Sequence, residues 1–179
     1  MLKYSYILLA ATLLSLLIYS CNNEEKSQPK RSIDKDKVAK ILAKMNKEYI
    51  DVENQQIDDY LDRRNWNFTK TKSGLRYHIY KEGVGQSPVS GSTVSIEYDI
   101  SLIRGEVIYS SKELGAKVFV VDKSEEPSGL HEAIKLMKVG GKAMFVIPSY
   151  LAYGLLGDEN KIPKKATLFY NVYLKEVKN

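Results

Sequence analysis

The chain has 179 residues and a formal net charge of +5, with 27 lysines and arginines against 22 aspartates and glutamates. These charges are interspersed and are not massed on one segment, so the composition argues against a nucleic-acid-binding protein. A single cysteine excludes an intramolecular disulfide, and the length suits one domain with a hydrophobic core plus an extension.

The chain begins with a segment typical of a secretory leader. One cation, Lys3, is followed by an apolar run over residues 7–18. This run is shorter than the about 20 residues that a membrane-spanning helix needs. We therefore expect a signal peptide at 1–20 that is removed from the mature protein.

The end of this leader, Ile18-Tyr19-Ser20-Cys21, resembles the lipobox of bacterial lipoproteins. More than one acyl chain on Cys21 would anchor the protein stably in a membrane. An ordinary secreted protein with a free thiol is the alternative. By analogy with lipoprotein sorting, Asn22 favours the outer membrane facing the periplasm, and the acidic pair Glu24-Glu25 leaves export to the cell surface open.

Two segments precede the main domain. Residues 21–32 are polar and charged, which predicts a flexible tether, because such a segment buries too little apolar surface to fold. From 33 to 65 apolar residues recur at three- and four-residue spacing, which predicts a long amphipathic helix, with a break near Asn54 left open. The apolar stripe of this helix must be buried. We favour packing on its own domain over a homodimer contact or a spacer arm.

The rest of the chain is rich in β-branched residues and alternates in hydrophobicity. This pattern predicts strands at 93–103, 106–109, 118–121, 143–147 and 167–177. Residues 130–137 have helical spacing, with Ser128 as the expected N-cap and Gly140 as the expected stop. The predicted fold class is α+β, with a bent antiparallel sheet wrapped on one short helix.

Several short signals follow one another in the last third of the chain. They are Gly129-Leu130-His131-Glu132-Ala133, Gly140-Gly141-Lys142, Leu151-Ala152-Tyr153-Gly154 and Ile162-Pro163. In this order they resemble the FKBP-type peptidyl-prolyl cis/trans isomerases, and the resemblance reaches back to about Thr69. It implies an isomerase domain at 66–179 that acts on X-Pro bonds of polypeptides without a cofactor. A looser resemblance is to gliding-motility-associated isomerases of Bacteroidetes.

The chemistry of such an enzyme needs few functional groups. The two isomers of an X-Pro bond differ by only about 0.5–1 kcal/mol, but amide resonance sets a barrier of about 18–20 kcal/mol between them. A site that removes water from the carbonyl oxygen and holds a twisted amide lowers this barrier without a nucleophile, a base or a metal. We therefore expect aromatic walls and one or two hydrogen-bond donors.

The resemblance assigns residues to these parts by their position in the motif. It implies that Tyr153, Phe119 and Tyr98 are catalytic, with the Tyr153 phenol donating to a substrate carbonyl. It implies that further residues bind substrate: Ile108, Leu130, Ile162 and Tyr170. Leu130 stands where many members carry tryptophan, and Ile108 stands for the usual phenylalanine. For each residue, plain core packing is the alternative.

Three further substrate-binding positions depart from the family pattern. Tyr109 replaces the acidic residue that the family carries before Ser110-Ser111. Glu126-Pro127 replaces a Val-Ile pair on the rim of the family's substrate pocket. Proline has no backbone N–H, so an ungapped alignment removes a rim donor, whereas a one-residue shift restores one from Ser128. We expect an isomerase weaker than typical members and poorly inhibited by the macrolides that bind them.

Other chemistry has little support in the sequence. The only histidines, His78 and His131, do not cluster with Cys21 in a metal-ligand pattern, so no metal site is expected. The leading hypothesis is a lipid-anchored isomerase that assists folding of exported proteins in the bacterial envelope. The alternative is a weakly catalytic or non-catalytic chaperone or binding module of an envelope machine such as gliding motility. Tyr153 with Phe119 favours catalysis, whereas Glu126-Pro127 and Tyr109 favour binding.

Overall fold

The structure is a computed structural model, and it describes residues 34–103 and 105–179. The predicted signal peptide at 1–20, the tether at 21–32 and the lipidation site Cys21 lie outside the described residues. Among those that are described, no helix is long and apolar enough to cross a membrane.

A long helix is followed by a domain of short strands and helices. Its elements in chain order are α1 (Lys35–Asp62), β1 (Thr69–Lys70), β2 (Arg76–Lys81), β3 (Thr93–Leu102), β4 (Val107–Ser110), α2 (Ser111–Leu114), β5 (Lys117–Val120), α3 (Ser128–Lys135), β6 (Lys142–Ile147), a 3-10 turn (Ser149–Leu151) and β7 (Leu168–Lys178).

Seven strands form one antiparallel sheet in the order β1-β2-β6-β7-β3-β4, and β5 pairs with the first half of β3. Side chains alternate between the two faces of each strand, so one face of β3, β6 and β7 is apolar throughout. This face packs with α3 into the main core. The predicted α+β class, with a long N-terminal helix, an antiparallel sheet and a short helix, is confirmed.

The long helix α1 is continuous over 28 residues. The break near Asn54 that the sequence left open is absent, because the segment contains no Gly or Pro. The Asn54 side chain donates through Nδ2 to the Ile50 carbonyl one turn earlier at 2.8 Å. By its contacts the chain divides into two units, 1–41 and 42–179. In the described part of the first unit, the Asp34 carboxylate accepts from the Asp36 and Lys37 amides at 3.1 Å and caps the start of α1.

The second half of α1 covers the outer face of the sheet. Ile57 and Leu61 are buried there against Val146 of β6 and Phe169 of β7. These two strand residues alternate with the core residues on the inner face, so the sheet is covered on both sides. In contrast, Leu42 and Met45 are 53% and 59% exposed.

A buried arginine fastens the same half of α1 to β2. Arg76 is 1% exposed, and it donates to Asp58 through Nε and one terminal nitrogen at 2.9 and 2.6 Å. Its other bonds go to the Asn54 side chain, the Asn54 carbonyl and the Gly74 carbonyl, at 2.5–2.9 Å. These five bonds match the five N–H groups of a guanidinium, so its burial is fully compensated.

The sequence placed the ends of α3 incorrectly. Ser128 is not the N-cap but the first helical residue, because Pro127 takes the N-cap position with ψ near 138° and its carbonyl accepts the first helical bonds. The helix ends at Lys135, and Gly140 lies in a later turn at φ +85°, where it precedes β6. Strand β2 and helix α2 were not predicted.

Candidate active site

One apolar cluster contains most of the residues that the family resemblance assigned to the site. Tyr98, Phe119 and Tyr170 extend from three strands of the sheet, and Leu130 extends from α3. All are less than 10% exposed, as are Ile108 and Ile162. The phenols of Tyr153 and Tyr109 are half-buried and pack against the same cluster.

The turn that carries Tyr153 is tightly bonded. Strand β6 ends before Pro148, and the Ser149 carbonyl then accepts from the Ala152 and Gly154 amides at 3.0 and 2.8 Å. Gly129 of α3 packs directly on this turn, since a Cβ at residue 129 would collide with the Ile147 side chain and approach the Leu151 carbonyl. The close approach of α3 thus holds Tyr153 at the edge of the cluster.

The Tyr153 phenol keeps its proton at neutral pH and can therefore donate a hydrogen bond. Burial raises its pKa, and the negative charge of Glu126 raises the pKa further. The buried Tyr170 phenol has its pKa raised by the same two causes and by the neighbouring Tyr153. Two protonated phenols therefore lie side by side, one inside the cluster and one at its edge.

An ion pair lies on the rim of the cluster. The Lys117 ammonium contacts both oxygens of the Glu126 carboxylate, at 2.9 and 3.0 Å, and both side chains are less than a third exposed. The same ammonium lies 5.7 Å from the centre of the Tyr98 ring. The charge of Glu126 at the rim is therefore compensated within the protein.

The rim also contains the start of α3. Pro127 is buried, and its carbonyl accepts from the Leu130 and His131 amides at 2.9 and 3.2 Å. Ser128 is exposed, and as the first helical residue it has no intrahelical acceptor for its N–H. A backbone donor therefore stands one residue after the proline.

Tyr109 of β4 holds the loop that carries Ile162. Its hydroxyl donates to the Asp158 carboxylate at 2.5 Å, and this hydrogen bond raises the pKa of Tyr109. The other Asp158 oxygen accepts from the Ile162 and Asn160 amides at 2.7 and 3.0 Å. An aspartate on the loop therefore supplies a carboxylate next to Tyr109.

The serine pair at the end of β4 has structural partners. The Ser110 hydroxyl donates to Asp99 at 2.5 Å and accepts from the Lys112 amide as the N-cap of α2. The Ser111 hydroxyl accepts from the Tyr98 amide at 2.9 Å. These bonds fix the backbone around Tyr98 and give both serine hydroxyls structural partners.

His131 fixes the loop that precedes the rim. Its Nδ1 accepts from the Asp122 amide and its Nε2 contacts the Ser124 carbonyl, both at 3.0 Å. The Phe119 ring meets the imidazole edge to face, with 5.5 Å between centres. Over residues 34–103 and 105–179, no group of three or more His, Cys, Asp or Glu side chains is arranged to hold a metal ion.

Residues 85–175, about half of the chain, match the sequence model of a family described as FKBP-type peptidyl-prolyl cis-trans isomerase. The chain belongs to this family. The predicted enzyme class is therefore confirmed at the level of the family.

Two curated proteins illustrate the similarity of this FKBP-type chain to bacterial members. It is 42% identical over 107 residues to a probable FKBP-type isomerase, FkpA, of Neisseria meningitidis, which covers 60% of this chain and 39% of that protein. It is 35% identical over 106 residues to the outer membrane protein MIP of Legionella longbeachae, which covers 59% of this chain and 45% of that protein. The chain thus spans less than half the length of these relatives.

A solved structure agrees with the fold. The FKBP-type chain superposes on the crystal structure of FkpA from Escherichia coli with a TM-score of 0.63 and 32% sequence identity. The match covers 76% of this chain and 64% of the other.

Sequence reasoning missed two rim residues of this FKBP-type domain. Lys117 lies two residues before Phe119 on β5, so the period of two along a strand could have placed it on the same side. Asp158 follows Gly157, which lies at φ +76°, and a Gly-Asp step in a loop was the available signal.

Proposed function

We propose that this chain is a peptidyl-prolyl cis/trans isomerase that acts on X-Pro bonds of exported proteins in the bacterial envelope. The observation that carries this proposal is the half-buried, protonated Tyr153 phenol at the edge of an apolar cluster. An X-Pro segment can place its pyrrolidine ring on an apolar surface and a backbone carbonyl next to the X-Pro bond against a donor, and the cluster with Tyr153 supplies both.

The mechanism follows from desolvation. The cluster side chains displace water from the X-Pro carbonyl oxygen, which weakens the resonance that makes the C–N bond stiff. Tyr153 then donates to a carbonyl of the bound segment and orients it, while the proline ring packs at the edge of the cluster beside Tyr98 and Phe119, which the buried Leu130 supports from below. The enzyme binds the twisted amide better than either planar isomer, so no covalent step is needed.

Tyr153→Phe tests this mechanism in a protease-free X-Pro isomerisation assay of the full chain in detergent. We expect the wild-type chain to isomerise the peptide well above the uncatalysed rate. The variant should be roughly tenfold slower, because loss of the Tyr153 hydrogen bond raises the barrier by about 1.4 kcal/mol. Tyr80→Phe is the control, since the Tyr80 hydroxyl bonds Asn171 on the outer face of the sheet. A flat rate with retained binding to unfolded chains would favour the chaperone alternative.

The residues on the rim support an isomerase of reduced catalytic activity. Glu126 places a charged group where the family resemblance expects an apolar wall, and its ion pair brings the Lys117 ammonium to the same rim. The Ser128 N–H is the nearest candidate for the rim donor that Pro127 lacks. We therefore expect weak inhibition by the macrolides that bind this family, and nanomolar inhibition would contradict the proposal for the rim.

Attachment to a membrane through Cys21 is a separate proposal. It rests on the resemblance of Ile18-Tyr19-Ser20-Cys21 to a lipobox and on the similarity to the Legionella relative, which is an outer membrane protein by name. Labelled palmitate fed to cells should enter the wild-type chain and not Cys21→Ala. Equal labelling of the variant would refute the anchor, and fractionation of the envelope would locate the labelled protein.

A homodimer through α1 is a further proposal. Apolar residues recur on α1 before its docked half, and Val38, Ile41, Leu42 and Met45 are each at least 40% exposed. Their spacing of three and four residues places them on one face, which a second copy of the same helix would cover. Sedimentation of wild type and Met45→Lys should give a dimer and a monomer, respectively. A monomeric wild type would exclude the dimer.

A further inference from the structure

A buried carboxylate links α1 to the turn that carries Tyr153. Glu53 lies in the middle of α1 and is only 6% exposed. One of its oxygens accepts from the Ser149 amide and from the Thr167 hydroxyl, each at 2.7 Å. The other accepts from the Ser149 hydroxyl at 2.8 Å.

These bonds reach two separate segments of the chain that lead into the apolar cluster. Ser149 begins the 3-10 turn after β6, and its carbonyl accepts from the amide of Gly154, the residue after Tyr153. Thr167 immediately precedes β7, the strand that carries Tyr170. One carboxylate on the helix therefore contacts the segments that lead into both phenols of the site.

The cost of burying a charge argues for a specific role. An ionised carboxylate without partners is expensive to bury, and three short donors compensate it only when their positions are fixed. The Tyr49 hydroxyl adds a fourth member, because it lies 2.9 Å from the Ser149 hydroxyl. Such a network constrains the Ser149 backbone more tightly than apolar contacts of similar area would.

We propose that Glu53 is a positioning residue for Tyr153: it holds the Ser149 end of the turn, and through the turn it sets the direction of the Tyr153 phenol. This proposal deepens the isomerase function proposed above and depends on it for its activity readout. It assigns α1, which lies outside the matched family segment at 85–175, a part in the site.

The test compares Glu53→Ala, Glu53→Gln and Ser149→Ala in the full chain. We expect Glu53→Ala to lower kcat/KM about tenfold, because a small displacement of an orienting donor is costly. Glu53→Gln retains one acceptor oxygen for the Ser149 amide and should recover part of the activity. Ser149→Ala removes the hydroxyl bond alone and should lie between wild type and Glu53→Ala.

Leu61→Ala is the matched control. It loosens the same helix on the sheet by removing an apolar contact with Val146 and Phe169, and it touches neither Ser149 nor Thr167. If Glu53 only docks the helix, Glu53→Ala and Leu61→Ala should lose the same activity when they lose the same stability. Positioning predicts that Leu61→Ala retains near wild-type activity below its unfolding transition.

A second readout is independent of catalysis. In protein labelled with fluorotyrosine, the Tyr153 signal is assigned by its loss in Tyr153→Phe. We expect it to shift and broaden in Glu53→Ala and Ser149→Ala, but to stay in place in Leu61→Ala. An unmoved Tyr153 signal in folded Glu53→Ala, or in Ser149→Ala where Glu53→Ala does not fold, would overturn the proposal. A wild type without isomerase activity would instead overturn the proposed function, and the signal would still test Glu53.

Discussion

The Lys117 ammonium donates to both carboxylate oxygens of Glu126, at 2.9 and 3.0 Å, beside the ring of Tyr98. The two residues come from different elements, β5 and the segment before α3, so the pair also closes the rim. Because the pair is only partly exposed, its charges interact more strongly than those of a surface salt bridge. A substrate residue that approaches this rim meets a dipole and not a net charge.

Breaking this pair should change substrate preference. Lys117→Ala leaves the Glu126 charge uncompensated, so we expect it to slow isomerisation of Glu-Pro peptides more than that of Ala-Pro or Lys-Pro peptides. A double-mutant cycle with Glu126→Ala should give a coupling free energy of about 1 kcal/mol between the two side chains. The measurement is kcat/KM on the three peptides. An equal effect of Lys117→Ala on all three would show that the pair does not face the substrate.

Tyr109→Phe should loosen the loop that carries Ile162. The variant loses the bond to the Asp158 carboxylate at 2.5 Å, and a hydrogen bond to a charged group is worth about 1.5–3 kcal/mol. We expect faster hydrogen exchange at the amides of residues 158–162, measured by mass spectrometry, and weaker substrate binding. Tyr80→Phe, which loses a bond to Asn171 on the outer face, should leave exchange in this loop unchanged.

Leu130→Ala should be strongly destabilising. Leu130 is completely buried between α3 and the sheet, and its truncation leaves a cavity, so we expect a loss of about 2–5 kcal/mol in the free energy of unfolding. Leu136, which is 37% exposed at the end of the same helix, provides the comparison. Urea unfolding of Leu130→Ala and Leu136→Ala measures both. Similar small losses would mean that the cluster tolerates a gap at Leu130.

The Asp58 carboxylate should make stability depend on pH in acid. Partial burial works to raise its pKa, but hydrogen bonds from Lys70 and Arg76 outweigh burial and hold the pKa below its ordinary value. Its contribution is therefore present above the unfolded pKa of about 3.9 and is lost as pH falls through the folded pKa. Urea unfolding between pH 3 and 6 should show a shallower loss of stability for Asp58→Asn than for wild type.

The elements that are marked by a regular pattern of apolar residues were predicted well from the sequence. The period of the α1 stripe and the alternation along β3 and β7 are local properties, so helix and strands could be assigned without the fold. The family motif located Tyr153 and Leu130 because glycines and prolines punctuate that part of the chain. These features report the backbone directly.

The buried polar and charged contacts could not be predicted in the same way. Glu53 and Arg76 look like ordinary surface charges in sequence, and only the docking of α1 brings donors and acceptors around them. The N-cap at Pro127 was missed because Ser128 has the stronger intrinsic preference for that position. Strand β2 was missed because only Tyr77 and Ile79 face the inner core, and the residues between and around them are charged or polar, including the buried Arg76 that faces α1.

The bonds that hold α1 allow it only one longitudinal register. A slide by one turn in either direction would set Tyr49 or Ile57, instead of Glu53, against the Ser149 amide and the Thr167 hydroxyl. Both donors would then be buried without a carboxylate partner, which opposes the slide. Insertions or deletions before Tyr49 therefore leave the bonds of Glu53 to Ser149 and Thr167 unchanged. The length of that segment is free to vary over evolution.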